Sequence, residues 1–228
     1  MSQQHHDGDH LAESTEMFTE AFWDERYRSG ATSWSGNPNP HLVEQIDDLE
    51  PGLALDVGSG DGADAIWLAG RGWQVTAADV STVALGLGAE RARAVGAEIA
   101  DGITWHQADF FSWVPSPQRF DLVSAQFMHL PAPALETLHR RLAAAVRPGG
   151  TLLIVMHHPS DLKTSVGRWG HEEMFRTPQQ IVANLGSDWD IVLAAAPERE
   201  GVDPDGQPVT IRDAVVRARK AAPHGSKR

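Results

Sequence analysis

Leu53-Ala54-Leu55-Asp56-Val57-Gly58-Ser59-Gly60-Asp61-Gly62-Ala63 is the stretch whose reading decides the fold. Leu53–Val57 is a short apolar run that reads as a strand. The chain then passes through small residues, and Ala63–Ala69 reads as a helix that stops at Gly70-Arg71-Gly72. Such a loop lets a ligand approach the backbone, and a helix starting behind it directs N–H groups at that ligand. Gly58, Gly60 and Ala63 also satisfy G-x-G-x-x-A, the dinucleotide pattern. Taken alone, the loop leaves more than one cofactor class open.

Downstream the rhythm alternates. Trp73–Ala78 is a second strand ending at Asp79. Ser81 is placed to cap a helix that runs to about Val95, before Gly96. Ile103–Gln107 and Phe120–Gln126 are further strands. Ala132–Val146 is a helix that stops at Arg147-Pro148-Gly149-Gly150, and Thr151–Met156 is a fifth, very apolar strand. Apolar strands separated by helices imply a parallel sheet covered on both faces. After residue 157 an insert of about 30 residues breaks the alternation. Within it, Thr177-Pro178-Gln179-Gln180 has the residues of a capped helix start. Asp190–Ala196 and Val209–Arg217 read as strands. The turn signal Asp203-Pro204-Asp205-Gly206 between them predicts an antiparallel hairpin.

Acids at the strand ends narrow the cofactor. Asp79 lies 21 residues after Gly58, where a carboxylate can accept from both hydroxyls of a ribose. Asp109 closes the third strand, where a carboxylate can accept from an adenine amine, with Phe110 placed to pack on the ring. The ordered set of Asp56–Gly62, Asp79, Ala108-Asp109, Phe120-Asp121-Leu122-Val123 and Arg147–Gly150 resembles the successive motifs of class I S-adenosylmethionine (SAM)-dependent methyltransferases. The resemblance covers about residues 15–220. Ser59 stands where that family often has Cys or Ala.

The resemblance implies a Rossmann-like, doubly wound α/β fold. Its seven-stranded sheet is mostly parallel and ends in an antiparallel hairpin strand, with helices on both faces. It implies SAM as cofactor, with Gly58 and Gly60 meeting its methionine end and Asp56 near its amino group. Asp79 and Val80 would flank the ribose, Asp109 and Phe110 the adenine, and Gln126 the methyl side. The N-terminal run Phe22-Trp23-Asp24-Glu25-Arg26-Tyr27, with Gly30, Trp34, Gly36 and Pro40, resembles the small-molecule branch that includes thiopurine and tellurite-resistance methyltransferases. There an N-terminal helix and an aromatic loop cover the cofactor and substrate. Trp34 is then a cofactor contact, and Trp23 and Tyr27, one helical turn apart, are substrate contacts.

Methyl transfer needs an aligned nucleophile and exclusion of water. A soft thiolate, selenide or telluride needs no base, whereas an amine or alcohol needs a proton acceptor. His129, His157 and His158 follow strands on the rim where parallel sheets place their sites. His129 and His158 are the candidate bases, and Arg168 is a candidate contact to substrate. Neighbouring strand residues face opposite ways, so no metal site is expected from His157 and His158.

Of the 228 residues, 41% are hydrophobic, enough for one domain with a continuous core. Net charge is -12, which disfavours a nucleic-acid partner. The absence of cysteine excludes disulfides and thiolate chemistry. The polar start carries no secretory pattern and no stretch is apolar enough to span a bilayer, so a cytoplasmic protein without a membrane partner, monomeric or homodimeric, is expected. Residues 1–14 and 221–228 are expected to be disordered tails around a single domain, 15–220. In that domain 15–50 form lid helices and 157–188 an insert over the active site. An NAD-dependent oxidoreductase and a non-catalytic SAM-binding module are the rival readings.

Overall fold

The computed structural model describes residues 17–30, 36–168 and 171–222. The helices α1 (Glu20–Arg28) and α2 (Pro40–Ile46) precede the first strand. The alternating part is β1 (Leu53–Val57), α3 (Ala63–Gly70), β2 (Gln74–Asp79), α4 (Thr82–Val95), α5 (Ala97–Asp101), β3 (Ile103–Gln107), β4 (Phe120–Gln126), α6 (Ala132–Ala145) and β5 (Val146–His157). Two 3-10 turns, Pro159–Lys163 and Glu172–Met174, lead to α7 (Pro178–Ala183), then β6 (Trp189–Ala195), β7 (Glu198–Val202) and β8 (Pro208–Lys220).

The sheet order is β3-β2-β1-β4-β5-β8-β6, with β7 paired to β8 off that path. Strands β1 to β5 are parallel, and β8 runs antiparallel to β5, β6 and β7. The expected fold class is therefore found, with one extra strand. The turn Asp203–Gly206 closes β7 onto β8 rather than joining the two long strands directly. Asp203 accepts from the N–H groups of Asp205 and Gln207 there.

The apolar run Leu152–Met156 of β5 follows from burial on both faces. Leu152, Ile154 and Met156 join the core under α6 with Leu135, Leu138 and Leu142. Leu153 and Val155 join the opposite core with Leu42, Ile46 and Leu68. Local signals set the helix ends. Thr19, Ser81 and Thr177 accept from the backbone N–H groups of Phe22, Ala84 and Gln180, and Gln180 returns the bond to Thr177 as a full capping box. The short helix α5 had no clear sequence signal and starts only after Gly96.

The strand order reverses between β1 and β4. Val57 sits opposite Ala125 there, so the β1 loop and the end of β4 lie side by side at the carboxyl edge. That edge is where an open parallel sheet offers a ligand site.

Candidate cofactor and acceptor site

The loop after β1 is fixed from β2. The N–H groups of Gly58 and Ser59 both donate to the Ala78 carbonyl, at 2.8 and 3.0 Å. Gly58 and Gly60 have φ of +72° and +53°, a region that favours glycine. Their missing side chains also matter. A Cβ on Gly58 would collide with the Met128 sulfur, and one on Gly60 would lie 2.6 Å from the Tyr27 hydroxyl. Met128 and Tyr27 thus pack onto the loop from two sides.

Asp79 holds this loop as well as closing β2. Its carboxylate accepts from the N–H of Gly60 at 2.9 Å and of Ser81 at 2.8 Å. Burial pushes its carboxyl above the usual range and these bonds oppose the rise. Ser81 in turn donates to Asp24 at 2.6 Å, and Asp24 accepts from Val83, Thr82 and Arg28. Burial works against ionisation of Asp24, yet these donors hold its carboxyl below the usual value. A continuous chain therefore ties the N-terminal helix α1 to the loop acid.

Val80 and Asp109 line one cleft of about 360 Å³ together with Phe18, Thr19, Glu20, Gln107 and Phe111. This part of the prediction needs one correction. The Phe110 ring is in the core, edge-on to Trp113 at 6.1 Å, because it turns inward after β3. The neighbouring Phe111 faces the cleft and meets Phe18 edge-on at 5.8 Å. Phe111 and the start of α1 were missed. The signal was the alternation of sides after a strand, which puts only one of two adjacent phenylalanines outside.

Three buried oxygens near the loop have no partner: Asp56 Oδ2, Ser59 Oγ and Gln126 Oε1. Burial, then Asp64 and Asp79, push the Asp56 carboxyl well above its ordinary value. Asp64 is pushed up to about 6 by burial, against a bond from the Asn39 N–H. Unpaired buried acceptors are costly, and a site that keeps them is suited to a cationic donor. The ammonium at the methionine end of SAM is such a donor, so these residues fit that cofactor.

On the acceptor side, His129 Nδ1 donates to the Phe127 carbonyl at 2.7 Å, while its Nε2 is buried and unpaired. Burial, with His157 and Arg168 nearby, lowers its pKa to about 4, so the ring is neutral at pH 7. Phe127 has φ +52°, an uncommon conformation for a bulky residue. The ring beside His129 is His157, stacked at 5.1 Å and 24°. His158, the other expected base, is committed elsewhere. Its Nδ1 accepts from the Ser160 N–H and caps the first 3-10 turn, because the strand alternation sends it away from His157.

Arg168 is also committed. Its Nε and Nη2 donate to Asp161 and its Nη1 faces His157 Nε2 at 3.3 Å, so the guanidinium is bonded within the protein. Trp23 and Tyr27 lie together on α1 with ring centroids 6.5 Å apart. Trp34 and most of the expected tails lie outside the described residues. Among the described residues no group of three or more His, Asp or Glu is placed to hold a metal ion, and no helix is long and apolar enough to cross a membrane.

Residues 54–150 match the family of methyltransferase domains. A methyltransferase of Streptomyces halstedii, GfsG, is 33% identical over 114 residues, a match that spans 50% of this chain and 40% of that relative. A solved structure described under the conversion of a disulfide bond into a thioacetal group during echinomycin biosynthesis is similar with TM-score 0.71 and 23% identity. It covers 92% of this chain and 94% of its own. The structure of a DhpI–SAH complex is similar with TM-score 0.61 and 19% identity, covering 92% of this chain and 98% of its own. Residues 54–150 thus resemble a methyltransferase domain, the chain shares its fold with these solved structures, and the residues around Gly58 fit SAM as a cofactor.

Proposed function

We propose that this chain is an enzyme that transfers the methyl group of SAM to a small-molecule acceptor. The observation that carries the reading is the set of unpaired buried oxygens on Asp56, Ser59 and Gln126 around a left-handed glycine loop. The antiparallel β8 inside the sheet weighs against an NAD-dependent oxidoreductase, although the loop satisfies the dinucleotide pattern.

Asp56 and Gln126 hold the amino-acid end of the cofactor, the glycine backbone approaches it, and Asp79 takes the ribose hydroxyls. Asp109 and Phe111, with Phe18 across the cleft, receive the adenine. Bound there, SAM supplies an electrophilic methyl carbon on a sulfonium, a neutral leaving group. The protein then needs alignment and dryness more than strong acid–base chemistry. Tyr27, Met128, Phe127 and Phe175 supply the apolar enclosure, and the insert 157–188 brings Phe175 to 5.2 Å from His129. Strand β4 ends at Gln126, so His129 stands just past the methyl side. Its bare Nε2 takes the acceptor proton. A base this weak suffices for an O–H, or for the N–H of a weakly basic nitrogen, which becomes strongly acidic as the new bond to carbon forms.

The acceptor atom stays open among sulfur, nitrogen and oxygen. The likeness of the N-terminal helix to the thiopurine and tellurite branch and the sulfur chemistry of the echinomycin relative favour including sulfur nucleophiles. A thermal-shift titration with SAM and NAD, followed by a methyl-transfer screen of soft and hard acceptors, tests the reading. Stabilisation by SAM and turnover of at least one acceptor are expected. Stabilisation by NAD alone refutes it.

A further inference from the structure

A network of charged and polar side chains lies behind His129 and centres on His157. His157 is held at both ring nitrogens. Nε2 faces Arg168 Nη1 at 3.3 Å, and an arginine can only donate, so Nε2 accepts. The proton therefore sits on Nδ1, which faces Asp213 Oδ1 at 3.4 Å. Each partner is itself fixed. Arg168 is clamped by the buried Asp161, at 2.7 and 3.1 Å, and Asp161 also accepts from the Arg212 N–H. Asp213 accepts from Arg199 at 2.6 Å and faces His41 Nε2 at 3.1 Å. Strands β5, β7 and β8, helix α2 and the insert thus converge on one imidazole.

We propose that His157 is a positioning residue: anchored between Asp213 and Arg168, its ring holds the stacked His129 as the Nδ1–H tautomer, leaving Nε2 a bare acceptor. His129 meets three groups, with a fourth behind them. The Phe127 carbonyl fixes its Nδ1 proton, Phe175 covers it, His157 stacks on it, and the Arg168 cation lies behind His157. Beyond it Asp161 pairs with Arg168 and Asp213 with Arg199, and His41 Nε2 also faces Asp213. Burial, with the Arg168 cation nearby, holds both histidines below their ordinary value, so His129 stays neutral beside His157. The catalytic consequence rests on the function proposed above; the tautomers do not.

Long-range ¹H–¹⁵N correlation on ¹⁵N-histidine-labelled full-length protein tests this, with peaks assigned by His129→Gln and His157→Phe. Wild type is expected to show both rings as neutral Nδ1–H tautomers at pH 7. In His157→Gln, which removes the stacked ring, a second His129 tautomer appears and its protonation midpoint rises by about one pH unit or more. His157→Phe, which keeps a ring there, leaves the tautomer as in wild type. An Nε2–H tautomer of His129 or a protonated His157 in wild type overturns the proposal without any variant. So does a folded His157→Gln protein with His129 unchanged. Expected tautomers with no methyl transfer to any acceptor would count against the function and leave the positioning intact.

Discussion

Asp56→Asn should make the unliganded protein more stable and SAM binding weaker. Asp56 is 2% exposed, its Oδ2 has no partner, and Asp64 and Asp79 share its surroundings. All three carboxyls are pushed up by burial, so ionising this cluster opposes folding. For Asp64 the distance from 3.8 to about 6 corresponds to about 3 kcal/mol. A raised folded pKa means that the native state binds more protons, so this cost is absent below about pH 4 and complete above about pH 6. Asn removes one charge from the cluster and keeps the shape. At pH 8 the unliganded variant should gain about 1–3 kcal/mol in urea denaturation, with the gain shrinking towards pH 4. The same change removes a charge-assisted bond to the cofactor ammonium, so calorimetric affinity for SAM should fall about ten- to hundredfold. A destabilised variant, or one with unchanged SAM affinity, would refute the reasoning.

Asp79→Ala should raise the dissociation constant for SAM about ten- to hundredfold and also loosen the loop, since the Gly60 and Ser81 N–H groups lose their acceptor; an affinity within threefold of wild type would leave Asp79 as a loop anchor alone. His129→Gln should lower turnover with SAM affinity within about threefold, measured by methyl-transfer kinetics and calorimetry; equal turnover returns His129 to a structural role. His139 is 1% exposed with both nitrogens unpaired, and burial, then Arg176, lowers its pKa to about 4. Its neutral form is the native one, so stability is complete above the unfolded value of about 6.5 and falls by about 2–3 kcal/mol as pH drops towards 4. Urea midpoints at pH 7.5 and 4.5 should therefore differ less in His139→Leu than in wild type, and equal acid losses would contradict this.

The strand β1, the order of later elements and the placement of acids 79 and 109 at strand ends were legible because each depends on local chemistry. Period, glycine spacing and caps are written in adjacent residues, so β1, β3 and β4 were bounded correctly. What depends on distant pairing was less legible. The strand β7 is polar, glycine-containing and mostly exposed, and becomes a strand only by pairing with β8. The commitment of Arg168 to Asp161 and His157 joins residues from the insert and β5. The choice of His157 over His158 as neighbour of His129 depends on the register of β5 against β4 and β8, which alternation alone does not set. The Phe110 and Phe111 exchange is the same problem one residue wide.

Isothermal titration calorimetry of SAM against wild type and Gly58→Val tests the central claim most directly. Valine at a position with φ +72° would collide with Met128 and distort the loop that the proposed cofactor approaches. The account predicts saturable one-site binding of SAM to wild type, none to a folded Gly58→Val variant, and none of NAD to either. Binding of NAD but not SAM, or SAM binding unaffected by valine at 58, would contradict it.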